Sequence, residues 1–143
     1  MGYCASDDIA ASISLVNTIQ LTDDEGRNVI NSARVNAAIS AADEIINGYM
    51  RGRYTVPLSP APGLIVGISV DISIFKLYER RFATELPQSI QTRYDNAIKL
   101  LREIQAGTVV LDIEIPATEV VGHYVGNKTP SDRLWSKDVL NAF

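Results

Sequence analysis

Three prolines fall within six residues near the middle of the chain: Pro57, Pro60 and Pro62. Each fixes φ, lacks an N–H and biases its predecessor towards extended backbone, so no helix can run through this stretch. Residues 57–63 therefore read as a stiff linker. The chain must build its structure on the two sides of it.

On the N-terminal side, Val35, Ala38, Ile39, Ala42, Ile45, Ile46 and Tyr49 recur at i, i+3, i+4, i+7. That is one face of a helix, capped at Asn31 or Ser32 and running to about Met50, with Asn36, Asp43, Glu44 and Asn47 off the stripe. Ahead of it, Ser6 followed by Asp7 and Asp8 predicts a short helix over about 6–17, then a polar turn over 21–26. On the C-terminal side, residues 64–75 are apolar on nearly every face, which predicts a centrally buried helix from about Pro62 to Phe82. Its β-branched content makes a strand the competing reading. Helix is preferred because the run enters 76–81 without a turn signal. After Pro87, Ile90, Tyr94, Ala97, Ile98, Leu101 and Ile104 predict a helix over about 88–106, with Gly107 placed as a C′ glycine.

Beyond Gly107 the period changes. Val109, Leu111, Ile113 and Ile115 alternate with Asp112 and Glu114, the pattern of a strand, and 118–125 could pair with it as a hairpin. The expected architecture is mainly α: a bundle of about four helices over 1–107, with an extended or β-hairpin C-terminal arm over 108–143. A lone hairpin is marginal in water and its edges invite another chain. The arm ends with Trp135, Leu140 and Phe143, residues of the type that anchor interfaces. The alternative is that the arm folds back and completes the monomer core.

Catalytic and metal chemistry finds little support. The single His123 and the single Cys4 cannot build a closed zinc site within one chain, and no nucleophile elbow or phosphate loop is present. The acids at 23–25 precede Gly26 but lack the alternating ligands of a calcium loop. No catalytic, cofactor-binding or metal-binding residue is assigned, and the protein is expected not to be an enzyme. With a net charge of −4 and no dense Lys/Arg cluster, tight nucleic-acid binding is not expected. The start lacks the marks of a signal peptide, and 64–75 is too short to span a bilayer, so no membrane role is expected. Asp71, inside the most apolar segment, needs a cation or must face solvent. It reads as half of a structural ion pair, internal or between subunits, with Arg51 and Arg53 as candidate partners.

Several segments together resemble a known family. They are Tyr3-Cys4, residues 19–23, residues 41–58 from Ala41 through Asn47-Gly48-Tyr49-Met50-Arg51-Gly52-Arg53-Tyr54 to Leu58, residues 71–78, and Arg93-Tyr94 with Ala97, Ile98, Leu101 and Gly107. They are similar to a Mu-like phage and prophage family of small proteins, with the resemblance fading after Gly107. Met50 stands where the family pattern has Leu. The resemblance implies a head–tail connector, or adaptor: a structural subunit forming a ring, often of twelve copies, between portal and tail. DNA would pass through the ring without specific binding, and a tail or stopper protein would dock below. The location implied is the virion neck, after assembly from the host cytoplasm. The turn Arg51-Gly52-Arg53-Tyr54, with Tyr49 beside it, then reads as a contact to another subunit or to the portal; alternatively its arginines hold the helix end and Asp71 internally. The other functional readings are a tail-completion or terminator protein, and a small helical cytoplasmic regulator.

Overall fold

The computed structural model describes residues 2–81 and 85–113, and among these the regular structure is all helical. Five helices follow one another: α1 (Ser6–Ile13), α2 (Leu15–Thr22), α3 (Ser32–Met50), α4 (Gly63–Glu79) and α5 (Gln88–Ala106). The mainly α expectation holds. The first expected helix, however, is two. Ala5 rather than Ser6 is the N-cap of α1, and the Asp8 carboxylate accepts from the Ala5 N–H at 2.8 Å. The break falls at Ser14, whose φ of 77° and ψ of 151° lie in a region normally left to glycine, at a cost of roughly 1–3 kcal/mol. Ser14 offsets part of that cost by capping α2. Its hydroxyl accepts from the Asn17 N–H, and its carbonyl accepts from the Thr18 hydroxyl at 2.9 Å. As a result α2 extends to Thr22, into what reads as the start of a polar turn.

Asn31 caps α3 through the Arg34 N–H at 3.2 Å. Buried along α3 are Val35, Ala38, Ile39, Ala42, Ile46 and Met50, while Ile45 and Tyr49 are half-buried at the stripe's edge. Pro62 opens α4, whose buried residues point in nearly all directions. Ile65, Ile68 and Ile72 pack into one apolar cluster with Ile46, Met50, Leu101 and Ile104. Val70, Ile74 and Leu77 pack into a second with Ile9, Leu21, Val35, Ile39 and Ile90. Thus α4 is the central element, against which α3 and α5 pack and to which α1 and α2 attach.

Helix α5 ends as the sequence predicts. Gly107 has φ 84°, the Thr108 N–H returns to the Glu103 carbonyl at 2.9 Å, and the Gly107 N–H returns to Ile104 at 3.1 Å. That is a Schellman stop.

After it, residues 109–113 form no strand. The alternation is real but serves a different end. Leu111 is buried at 4 % exposure in the first cluster, with Val109 and Ile113 packed against it, while Val110 and Asp112 face outward. The segment docks on the helices as irregular chain, with the Ile113 N–H turning back to the Leu111 carbonyl at 2.9 Å. The remainder of the expected strand and hairpin, and Trp135, Leu140 and Phe143, lie outside the described residues.

Candidate interaction surface

Three polar knots hold the helices together, and they determine which side chains remain at the surface. The first lies where the N-terminal segment crosses α3 and α4. The Tyr3 N–H donates to Asp43 at 3.2 Å, the Tyr3 hydroxyl donates to Asn47, and it accepts from the Leu58 N–H at 3.0 Å. The Ser69 hydroxyl sits 3.3 Å from both the Cys4 sulfur and Asp43, and Ser73 lies 3.8 Å from the same sulfur. Burial pushes the Asp43 carboxyl, the Tyr3 phenol and the Cys4 thiol upwards. The thiol therefore stays protonated, unlike the activated thiolate of a nucleophile. Tyr3, Cys4, Asp43, Asn47 and Leu58 all belong to the segments that carry the family resemblance, and here they meet. Asp43 reads as a solvent-facing acid off the stripe, but it is half-buried. Its partner is a main-chain N–H from residue 3, which no helical period announces.

The second knot ties the end of α2 to α3 and α4. Asp24 pairs with Arg34 at 3.2 Å, Arg80 at 2.6 Å and Arg81 at 3.3 Å. The same arginines donate to the last carbonyls of α2, including Leu21 at 2.5 Å and Thr22 at 2.6 Å. Hydrogen bonding from Arg80, followed by the charges of Arg80, Arg34 and Arg81, holds the Asp24 carboxyl down at about 2.

The third knot is the ion pair expected at Asp71, with a different partner. Arg93 on α5 donates to Asp71 from Nε at 2.9 Å, and its Nη2 reaches Ser12 on α1 at 2.8 Å. Neither Arg51 nor Arg53 is involved. Asp71 sits on the α5-facing side of α4, so its partner comes from α5 rather than from the end of α3.

The turn after α3 divides its residues. Arg51 is exposed. Arg53 is half-buried, its guanidinium lying over Gly107 so closely that a Cβ there would fall 1.8 Å from Nη1. It thereby places a cation at the C-terminus of α5, where the helix dipole favours one. Tyr54, read from sequence as a contact residue, is 3 % exposed, and its hydroxyl accepts from the Leu111 N–H at 3.0 Å. It faces inward because the chain after α5 covers it. Leu58 is buried, while Pro57, Ser59 and Pro60 stand out beside Asp112 and Ile113 around a hollow of about 430 Å³; the Val56–Pro57 and Ser59–Pro60 bonds are cis. Half-buried Tyr49 lies on another side, in a groove of about 780 Å³ between α3 and α5. The exposed Pro57, Ser59 and Pro60 thus share a surface with Asp112 and Ile113, and Arg51 is exposed a few residues earlier in the chain.

Among the described residues no group of three or more His, Cys, Asp and Glu could hold a metal ion, and no helix is long and apolar enough to cross a membrane.

The family described as "Bacteriophage Mu, Gp36" matches residues 3–123, and the chain belongs to that family. It is also similar to the "Mu-like prophage FluMu protein gp36" of Haemophilus influenzae: 21 % identical over 114 residues, covering 80 % of this chain and 78 % of that relative.

Proposed function

We propose that this protein is a structural head–tail connector (adaptor) subunit that assembles into a ring between portal and tail during virion assembly. Membership of the Mu Gp36 family carries the reading. The structure is compatible with it, because the polar clusters described above tie the terminal segment and the helices to one another. In this reading Arg51 and the exposed proline turn contact the portal or a neighbouring subunit, and a tail or stopper protein docks on the opposite side. The protein is not an enzyme, needs no cofactor, and lets DNA pass without specific contact. Free subunits stay small and assemble on the portal, which keeps rings from forming elsewhere.

The test is absolute mass by size-exclusion chromatography with light scattering, for the protein alone and mixed with the matching portal. A ring-sized species, alone or only with portal, supports the connector. A monomer or dimer that ignores the portal overturns it and favours the tail-completion or regulator readings. Arg51→Ala should weaken portal association while leaving the helical content intact.

A further inference from the structure

The groove between α3 and α5 has half-buried apolar walls, Ile45 and Tyr49 on α3 and Tyr94 and Ile98 on α5. Tyr94 is held by stacking on Phe75 with ring centroids 4.0 Å apart. Gly48, between Ile45 and Tyr49, is exposed, and a Cβ there would meet nothing within 4 Å. The two helices run the same way, since both line the groove and their C-terminal ends meet where Arg53 lies over Gly107. Their exposed charges repeat one spacing. Arg102 follows Asp95 by seven residues, and Arg51 follows Glu44 by seven. Seven residues are two helical turns, so each acid and its cation share a face. Among the described residues none of the four is in an ion pair. The face thus carries two acids towards one end, two cations towards the other, and apolar side chains with a glycine between them.

That pattern is complementary to itself, which is what a two-fold contact between identical chains requires. We propose that this face docks a second copy of the chain, forming a two-fold dimer in the absence of portal. The charges select the arrangement. With the helices of the two copies parallel, acids would face acids. With them antiparallel, α5 lies on α5 and α3 on α3, so each Asp95 faces Arg102 of the second copy and each Glu44 faces its Arg51. The two-fold axis then passes close to Gly48 on α3, where the missing side chain lets the two backbones approach, and close to Ile98 on α5. The four helices make a bundle whose centre is filled by Ile45, Tyr49, Tyr94 and Ile98 from each copy. The proposal is independent of the ring reading. Arg51 belongs to both, so the test rests on Asp95, Arg102 and Gly48.

Light scattering over a dilution series without portal should show twice the chain mass giving way to the chain mass. By symmetry, Asp95→Arg or Arg102→Asp alone turns two pairs from attraction to repulsion. Each should raise the dimer Kd by roughly tenfold, as expected for two partly screened pairs reversed. Both changes in one chain, or the two singly changed proteins mixed, should restore the unmodified Kd, because an acid again faces a cation across the axis. Gly48→Trp should give a monomer with its helical content kept, since replacing a helix-interior glycine does not weaken the helix. Gly48→Cys should cross-link to its own copy when diamide oxidises the two thiols, whereas Ser89→Cys, exposed at the start of α5, should not; the native Cys4 is buried. A protein that is monomeric at every concentration reached, or a dimer that ignores the single charge reversals, overturns the proposal. So does weakening that neither the double variant nor mixing repairs, or a ring that forms without portal and falls apart with no dimer on the way. The connector reading is decided separately, by the mass with portal present.

Discussion

Leu111 offers the sharpest test of how the chain beyond α5 is held. It is 4 % exposed among Tyr54, Leu58, Leu101 and Ile104. Leu111→Ala removes three carbons, about 2.4 kcal/mol of transfer free energy at ~0.8 kcal/mol each. The cavity left behind adds to this, but the segment is irregular chain outside any helix, so it can partly collapse. We expect a total of about 3 kcal/mol, in the lower half of the usual range for such truncations. Tyr54→Phe removes the acceptor of the Leu111 N–H and leaves that group buried without a partner, costing about 1–2 kcal/mol. The two residues share one contact, so the double variant should lose less than the sum by at least ~0.5 kcal/mol. Urea unfolding followed by far-UV circular dichroism at fixed protein concentration measures all three. The Leu111→Ala melting temperature should fall by about 10 °C for a domain of this size. A Leu111→Ala loss below ~0.5 kcal/mol with a silent Tyr54→Phe would refute the reasoning, and residues 109–113 would then be a free arm.

Three further outcomes are expected. Gly107→Ala should cost about 1 kcal/mol through its positive φ and should also displace Arg53, so Arg53→Ala should be nearly silent in that background yet measurable in the unmodified protein by a double-variant cycle. Asp24 has its carboxyl held at about 2 against an ordinary 3.8, chiefly by hydrogen bonding from Arg80. Its folded value lies below its unfolded one, so it adds stability above the unfolded value that is lost as pH falls from 3.8 towards 2. Acid unfolding of Asp24→Asn should be flatter across that window, and an identical profile would remove Asp24 from the account. Asp71→Asn should cost about 0.5–1 kcal/mol, because the pair with Arg93 is partly exposed and screened, and differential scanning calorimetry should show a melting point lower by a few degrees. An unchanged melting curve would mean that the pair contributes nothing.

What the sequence made legible was local. The stripe of α3, the proline linker and the glycine stop of α5 are all written within a few residues of where they act. The break at Ser14 was not legible, because serine is no helix breaker and the strain lies in φ and ψ. Asp71 announced its need for a cation but not which one: the arginines after α3 read as its candidates, whereas α5 supplies Arg93. The alternation at 109–113 told which side chains turn inward, not what they turn towards, since period two marks sidedness and is silent on the partner. Tyr54 looked like a surface anchor until the chain leaving α5 was seen to cover it. Of the candidate surface, Arg51, Pro57 and Pro60 are exposed, Tyr54 is buried, and Tyr49 lines the groove between α3 and α5.

The packing of Cys4 gives the protein a built-in clock for its own breathing. The sole thiol is buried against Ser69 and Ser73 and is kept protonated by its surroundings, so a thiol reagent can reach it only when the first residues lift away from α3 and α4. In the native protein its labelling rate therefore counts openings of the N-terminal segment, one by one, without any engineered label. Under the proposed connector role, the same rate followed with portal present would show whether portal binding tightens that segment or works it loose.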